Sequence, residues 1–164
     1  MMARHRDYLV YLAGPICGLT AADATDWRTY VKMSMPEEIQ TMSPMRGMDF
    51  ARDTVMNSKA GYSNSPITTD RGVTCRDRFD CQRCDLVLVN YLGATKPSLG
   101  TAIELGWADA VRIPIVMVIE DEGNPNDHNM IRELVGFRVN DLDTAIELVE
   151  QILIPSGRGT ARLT

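Results

Sequence analysis

The chain has 164 residues, with 17 Lys and Arg against 22 Asp and Glu and a formal net charge of −5. That length fits one domain with a sizeable core, and the acidic balance argues against a general binder of nucleic acid or of an anionic membrane. Apolar residues at 45% and charged residues at 24% exclude a disordered chain, and no apolar run approaches the roughly 20 residues that span a bilayer. No apolar segment of signal-peptide length follows the basic start MMARHRDY, so the expected compartment is the cytoplasm. One domain is expected over residues 1–154, with a polar tail over 155–164.

The run Tyr8–Ala13 reads as a short strand closed by Gly14-Pro15. Thr20, followed three residues later by Asp23, resembles a capping box, and a helix is expected over 21–35, stopped by Pro36. Ile39–Met42 is a second, weaker strand. Residues 45–69 are polar, contain Gly47, Gly61 and Pro66, and read as a long loop with one helical turn over 50–57. A helix over 70–84 follows. The apolar run over 85–91 has the look of a strand buried on both faces of a parallel sheet. Ser98 is placed to cap a helix reaching 111. Residues 113–119 form another buried strand, 120–126 a polar loop, 128–135 a short helix and Phe137–Val139 an edge strand. Leu142, Ala145, Ile146, Val149 and Leu153 recur at helical spacing, which makes 141–153 an amphipathic helix.

Strands alternating with helices imply right-handed crossovers and an α/β fold, a parallel sheet of about five strands with helices on both faces. Ligands of such sheets bind outside the carboxyl ends of the strands. Function is therefore expected in four loops: 14–20, from 44 onward, 92–99 and 120–128.

Cysteines stand at 17, 75, 81 and 84, and three of them crowd into ten residues, a poor disulfide framework. Cys81-Gln-Arg-Cys84 is a CxxC, but a zinc site needs a second ligand pair that the two histidines do not supply. At the end of a helix the dipole disfavours a reactive thiolate. Buried structural thiols are the expected role.

The segment Ser98-Leu-Gly-Thr-Ala-Ile-Glu104-Leu-Gly-Trp-Ala opens a helix directly after a buried strand. Free backbone N–H groups at such a start suit an anion or a polar sugar group. Glu104 lies among Ala102, Ile103, Leu105, Trp107 and Ala108, apolar company in which a carboxylate is costly unless paired or used. On pattern alone a structural or solvent-facing glutamate is the ordinary assignment. No Walker loop is present, and Gly14-Pro15-Ile16-Cys17-Gly18 lacks the dinucleotide-binding spacing.

Tyr11-Leu-Ala-Gly-Pro-Ile16, Asp77 eight residues before Asp85, and the block from Ser98 to Ala108 stand in an order and spacing that resembles the nucleoside 2-deoxyribosyltransferase family. That family also includes deoxynucleoside 5′-monophosphate N-glycosidases. The resemblance covers roughly residues 8 to 150. It implies a flavodoxin-like (Rossmann-like) fold and cleavage of an N-glycosidic bond, with no cofactor and no metal. Glu104 falls on the family's nucleophile, which attacks C1′ to form a glycosyl ester. Tyr11 falls on the tyrosine that orients that carboxylate, and Asp77 on the aspartate that meets the base and handles its proton. Without the resemblance, Tyr11 reads as a core tyrosine and Asp77 as a surface helix carboxylate.

The resemblance further places Gly14, Ile16, Ser98 and Gly100 around the substrate. The stretch Asp127-His128-Asn129-Met130-Ile131-Arg132 is similar to a segment that a neighbouring subunit inserts in family members that oligomerise. His128 and Met130 would then complete the site of a homo-oligomer. Ser98 stands where the transferases usually hold the sugar 5′-hydroxyl with an aspartate. A serine and helix N–H groups there suit a 5′-phosphate. Cys17, in turn, stands where the mammalian monophosphate glycosidases have an arginine, and His128 where transferases tend to have Asn and the glycosidases Ser. Three functions are therefore carried forward: transfer of deoxyribose between bases with a free nucleobase as acceptor, hydrolysis of deoxynucleoside 5′-monophosphates, and nucleotide binding without turnover.

Overall fold

A computed structural model describes residues 7–57 and 65–155. The strands are β1 (Tyr8–Ala13), β2 (Ile39–Met42), β3 (Leu86–Asn90), β4 (Ile115–Val118) and β5 (Phe137–Val139). They alternate with helices α1 (Ala21–Ser34), α2 (Asp70–Arg83), α3 (Leu99–Ala110), α4 (Asn129–Leu134) and α5 (Leu142–Leu153). Every strand pair is parallel and the order is β2-β1-β3-β4-β5, the flavodoxin-like arrangement. The chain leaves β1 for β2 on one side and returns past it to β3 on the other. The switch point therefore lies between β1 and β3. A cleft of about 480 Å³ opens at their carboxyl ends, lined by Pro15, Leu19, Trp27, Asn90 and Leu92 among others.

Alternation along the strands sorts side chains between two cores. Val10, Leu12, Leu86 and Leu88 pack with residues of α1 and α5. Tyr11, Ala13, Val87 and Val89 pack with residues of α2 and α3. The parallel register sets Tyr11 beside Val87 and Ala13 beside Val89, so the end of β1 and the end of β3 present their inner side chains to the same helices.

Side chains cap the helix starts. Thr20 accepts the Asp23 N–H at 3.1 Å and donates its hydroxyl to the Asp23 carboxylate at 2.7 Å. Thr69 accepts from Gly72 and Asp141 from Thr144. His128 caps α4 with its ring, Nδ1 accepting the Met130 N–H at 3.2 Å. Ser98 holds the N-cap position of α3 but caps no N–H there, because its hydroxyl is shared with Thr101 Oγ1 at 2.9 Å. The expectation of a side-chain cap by Ser98 is thus corrected.

The long loop also differs from expectation. No helical turn forms over 50–57. Thr54 and Arg52 turn their carbonyls to the N–H groups of Ala21 and Ala22 at 2.8 and 3.0 Å, and Val55 bridges Thr20. The orphan donors at the start of α1 are satisfied this way, and that demand outweighs local helix formation. A short 3₁₀ turn occurs instead at Pro66–Thr68. Part of the loop, 58–64, and the expected polar tail from 156 lie outside the described residues. Among the described residues no helix is long and apolar enough to cross a membrane.

Candidate active site

Residues Thr101, Glu104, Leu105 and Ala108 form the buried stripe of α3, spaced to face the sheet. Glu104 is therefore carried inward by helical geometry to a site where it is 9% exposed. Tyr11 comes from β1, fully buried, and donates its hydroxyl to Glu104 Oε1 at 2.7 Å. Burial disfavours the charged form of Glu104 and pushes its carboxyl up to about 7. The Tyr11 hydrogen bond opposes that rise, Asp77 adds to it, and the positive charge of Arg28 opposes it. Burial, with the fields of Glu104 and Asp77, holds the Tyr11 hydroxyl well above its ordinary value, so it remains a proton donor.

Asp77 lies on the inner side of α2, 7% exposed. A surface carboxylate is therefore the wrong description of it. Arg76 Nε donates to its Oδ1 at 3.1 Å, and the same guanidinium reaches the carbonyl of Arg46 at 3.0 Å, tying α2 to the loop after β2. Burial raises the Asp77 carboxyl above the usual range, against the pull of Arg76. One turn on, the fully buried Asp80 pairs with Arg83 at 2.9 Å and with Arg46.

Gly14 closes β1 against β3. A Cβ there would stand 2.8 Å from the carbonyl oxygen of Asn90 and 3.1 Å from the Trp27 ring, so only glycine lets the two strand ends approach this closely. Ile16 is not brought to the Glu104 cluster; it packs on Ala21, Ala24, Met45 and Met56. Ser98 donates its N–H to Asn126 Oδ1 at 2.7 Å, and Gly100 is exposed at the start of α3. His128, the cap of α4, and Met130 in its first turn are exposed, and neither bonds to Tyr11, Asp77 or Glu104.

Cys81 and Cys84 are buried, and Cys84 Sγ lies 3.4 Å from the Cys81 carbonyl oxygen. Burial pushes the Cys84 thiol up to about 12 and the Cys81 thiol higher still. Both are protonated structural thiols, as the sequence led one to expect. Among the described residues no group of three His, Cys, Asp or Glu is placed to hold a metal ion.

Three residues of the site were not singled out from the sequence. Arg28 is 2% exposed and occupies a core position of α1, in the stripe Ala21, Ala24, Arg28, Val31. An arginine on an apolar stripe was the legible signal. Tyr91, just past β3, is fully buried, and its hydroxyl has no hydrogen-bond partner among the described residues. Burial and the field of Glu104 raise that hydroxyl above its ordinary value. Asn126 is buried and joins the loop after β4 to Ser98. Its neighbour Asn124 donates to the Tyr91 carbonyl at 2.8 Å.

The family model for nucleoside 2-deoxyribosyltransferase matches residues 10–148. Solved structures share the fold at low identity. A conserved protein from Enterococcus faecalis V583 superposes with a TM-score of 0.64 at 19% identity, over 90% of this chain and 99% of that one. A 2-desoxiribosyltransferase from Leishmania mexicana gives 0.58 at 15% identity, over 89% and 99%. A CMP N-glycosidase from Clostridium botulinum gives 0.51 at 18%, over 87% and 99%. No protein of curated function matches the chain.

Proposed function

The chain belongs to the nucleoside 2-deoxyribosyltransferase family, and on that premise we propose that it cleaves the N-glycosidic bond of 2′-deoxynucleosides and passes the deoxyribose to a second nucleobase. The observation that carries this function is the buried hydrogen bond from the Tyr11 hydroxyl to Glu104 Oε1 at 2.7 Å. In the proposed reaction the Glu104 carboxylate attacks C1′ while the C1′–N bond breaks and its electron pair leaves with the base. The departing ring nitrogen takes a proton from Asp77. A second base then attacks C1′ of the ester, returns a proton to Asp77 and releases Glu104. Tyr11 keeps one carboxylate oxygen engaged, which leaves the other for C1′.

The electrostatics support these roles. A carboxyl at about 7 is substantially ionised at neutral pH, as a nucleophile must be. The raised Asp77 carboxyl holds its proton more readily than an ordinary aspartate, as a proton donor must. Leu99 and Ile103 on α3 and Met130 on α4 are exposed apolar residues. They favour a homo-oligomer in which His128 and Met130 reach a neighbour's site.

One observation favours a second reaction, hydrolysis of a deoxynucleoside 5′-monophosphate with water in place of the second base. Lys96 reaches from the loop after β3 to the loop after β1, where its Nζ would stand 2.5 Å from a Cβ at Gly18. A cation between those two loops suits a phosphate. Against it, the Ser98 N–H is already engaged by Asn126.

Incubation with a deoxynucleoside and a different free base, followed by chromatography, tests the proposal. Transfer yields a new deoxynucleoside. Free base alone, released faster from monophosphates than from nucleosides, selects hydrolysis. Saturable binding with no product from either substrate overturns both and leaves a nucleotide-binding protein.

A further inference from the structure

Arg76 and Asp77 are neighbours on α2, and residues one apart on a helix do not face each other. Their side chains meet all the same: Arg76 Nε donates to Asp77 Oδ1 at 3.1 Å. What draws the guanidinium across the helix lies outside α2. Nη1 donates to the Arg46 carbonyl at 3.0 Å and Nη2 to the Pro44 carbonyl, both in the loop after β2. All three nitrogens are thus engaged, and the side chain is only 8% exposed. A guanidinium presents its donors in a fixed plane, so seating two nitrogens on the loop fixes where the third points.

The two buried aspartates of α2 are served differently. Asp80 pairs with Arg83 through Oδ1 and with Arg46 through Oδ2, so both of its oxygens face a cation. Asp77 is bonded through Oδ1 alone, and among the described residues its Oδ2 takes no hydrogen bond. A carboxyl group held by one oxygen, with the other left open, is also what Tyr11 makes of Glu104. Burial keeps the Asp77 carboxyl above the usual range even with Arg76 beside it, so the contact sets a direction without forcing the proton off.

We propose that Arg76 is a positioning residue for the reaction: seated on the Pro44 and Arg46 carbonyls, it holds Asp77 by Oδ1 and leaves Oδ2 for the departing base. The inference rests on Asp77 being the proton donor of the proposed reaction. Through Arg76 the backbone of the loop after β2 acts on the site. The other ionisable groups that act on Asp77 are Asp80 and Cys81 on α2, Arg46 in the loop after β2, Glu104 on α3, Tyr11 on β1 and Arg28 on α1. Among the described residues Arg76 is the one whose side chain bonds to the Asp77 carboxyl.

The experiment uses the full chain labelled with ¹³C-aspartate, in which the Asp77 carboxyl signal is identified by its loss in Asp77→Asn. Arg76→Gln removes the cation in contact with Asp77 and is expected to raise the Asp77 midpoint by about one pH unit. The kinetic arm separates positioning from mere support of the fold. Arg76→Gln should lower kcat about tenfold with KM little changed. Introduced into Asp77→Asn, it should change kcat by less than about twofold, because a residue acting through Asp77 has nothing left to act on. Equal losses in the two backgrounds, or no loss in either, overturn the proposal, as does an unmoved midpoint in a folded Arg76→Gln. If Arg76→Gln does not fold, Arg76→Lys takes its place, since its single ammonium keeps the charge but cannot span two carbonyls and a carboxylate. A kcat equal to wild type then overturns the proposal, and a loss seen only with Asp77 intact supports it. Turnover absent in wild type, with the midpoint raised as expected, rejects the reaction while supporting the hold of Arg76 on Asp77.

Discussion

Val10 and Tyr11 are consecutive in β1 and both fully buried, but they look into different interiors. Val10 shares an aliphatic core under α1 and α5 with Leu12, Val31, Leu86, Leu88, Val116, Val118, Ile146 and Val149. Tyr11 shares the core under α2 and α3 with Cys81, Cys84, Val87, Tyr91 and Leu105, and its hydroxyl is bonded to Glu104. Asp77 and Asp80 are buried on that same side. Buried carboxylates oppose folding, whereas buried aliphatic groups drive it. The contrast teaches that one face of the sheet stabilises the fold and thereby permits the other to hold charged groups where water is excluded.

Substitutions on the two faces should therefore fail differently. The largest effect is expected from Glu104→Ala, which removes the proposed nucleophile. Turnover should drop by about 10³-fold or more, while circular dichroism and melting show a folded protein. Turnover near wild type would remove Glu104 from the chemistry. On the aliphatic face, Leu88→Ala should cost about 3 kcal/mol of stability in denaturant titration, with turnover per folded molecule unchanged. A large loss of turnover in the folded fraction would break the division between the faces.

Burial of Glu104 sharpens the comparison further, through pH. Its carboxyl titrates at about 7 in the fold against an ordinary 4.5. Below the lower value both states are protonated and the residue has no effect. Between the two the unfolded chain releases its proton while the folded chain keeps it, so stability falls as pH rises through this window and levels off above it. Glu104→Gln, which cannot ionise, should gain on wild type across that window, reaching about 3 kcal/mol at pH 8. Melting curves of both proteins at pH 4 and pH 8 check this; an equal gap at the two pH values would contradict it. The smallest effect is expected from Asp77→Asn, which should slow turnover by about 10²-fold by removing the proposed proton donor. Bases that leave readily without protonation should suffer least, and a uniform loss across bases would assign Asp77 to structure instead.

The sequence by itself determined the elements and their class. Continuous apolar runs in YLVYLA, LVLVN and IVMV, and helical spacing over 141–153, are local properties, written in neighbouring residues. Family motifs marked Tyr11, Asp77 and Glu104 for the same reason, since each lies in a short, recognisable string. Tertiary structure alone decided what depends on distant partners. Tyr11 and Glu104 are 93 positions apart, and only the pairing of β1 with β3, with α3 folded over both, brings one hydroxyl to one carboxylate. The backbone of 52–54 gave up a helical turn to satisfy the start of α1, a demand set more than 30 residues upstream. Ser98 lost its capping role to Thr101 and its N–H to Asn126, and Arg28 became a buried cation only because the end of β1 offered it carbonyls. Propensity and patterning act within a few residues, whereas burial, field and hydrogen-bond satisfaction are settled by what the rest of the chain places nearby.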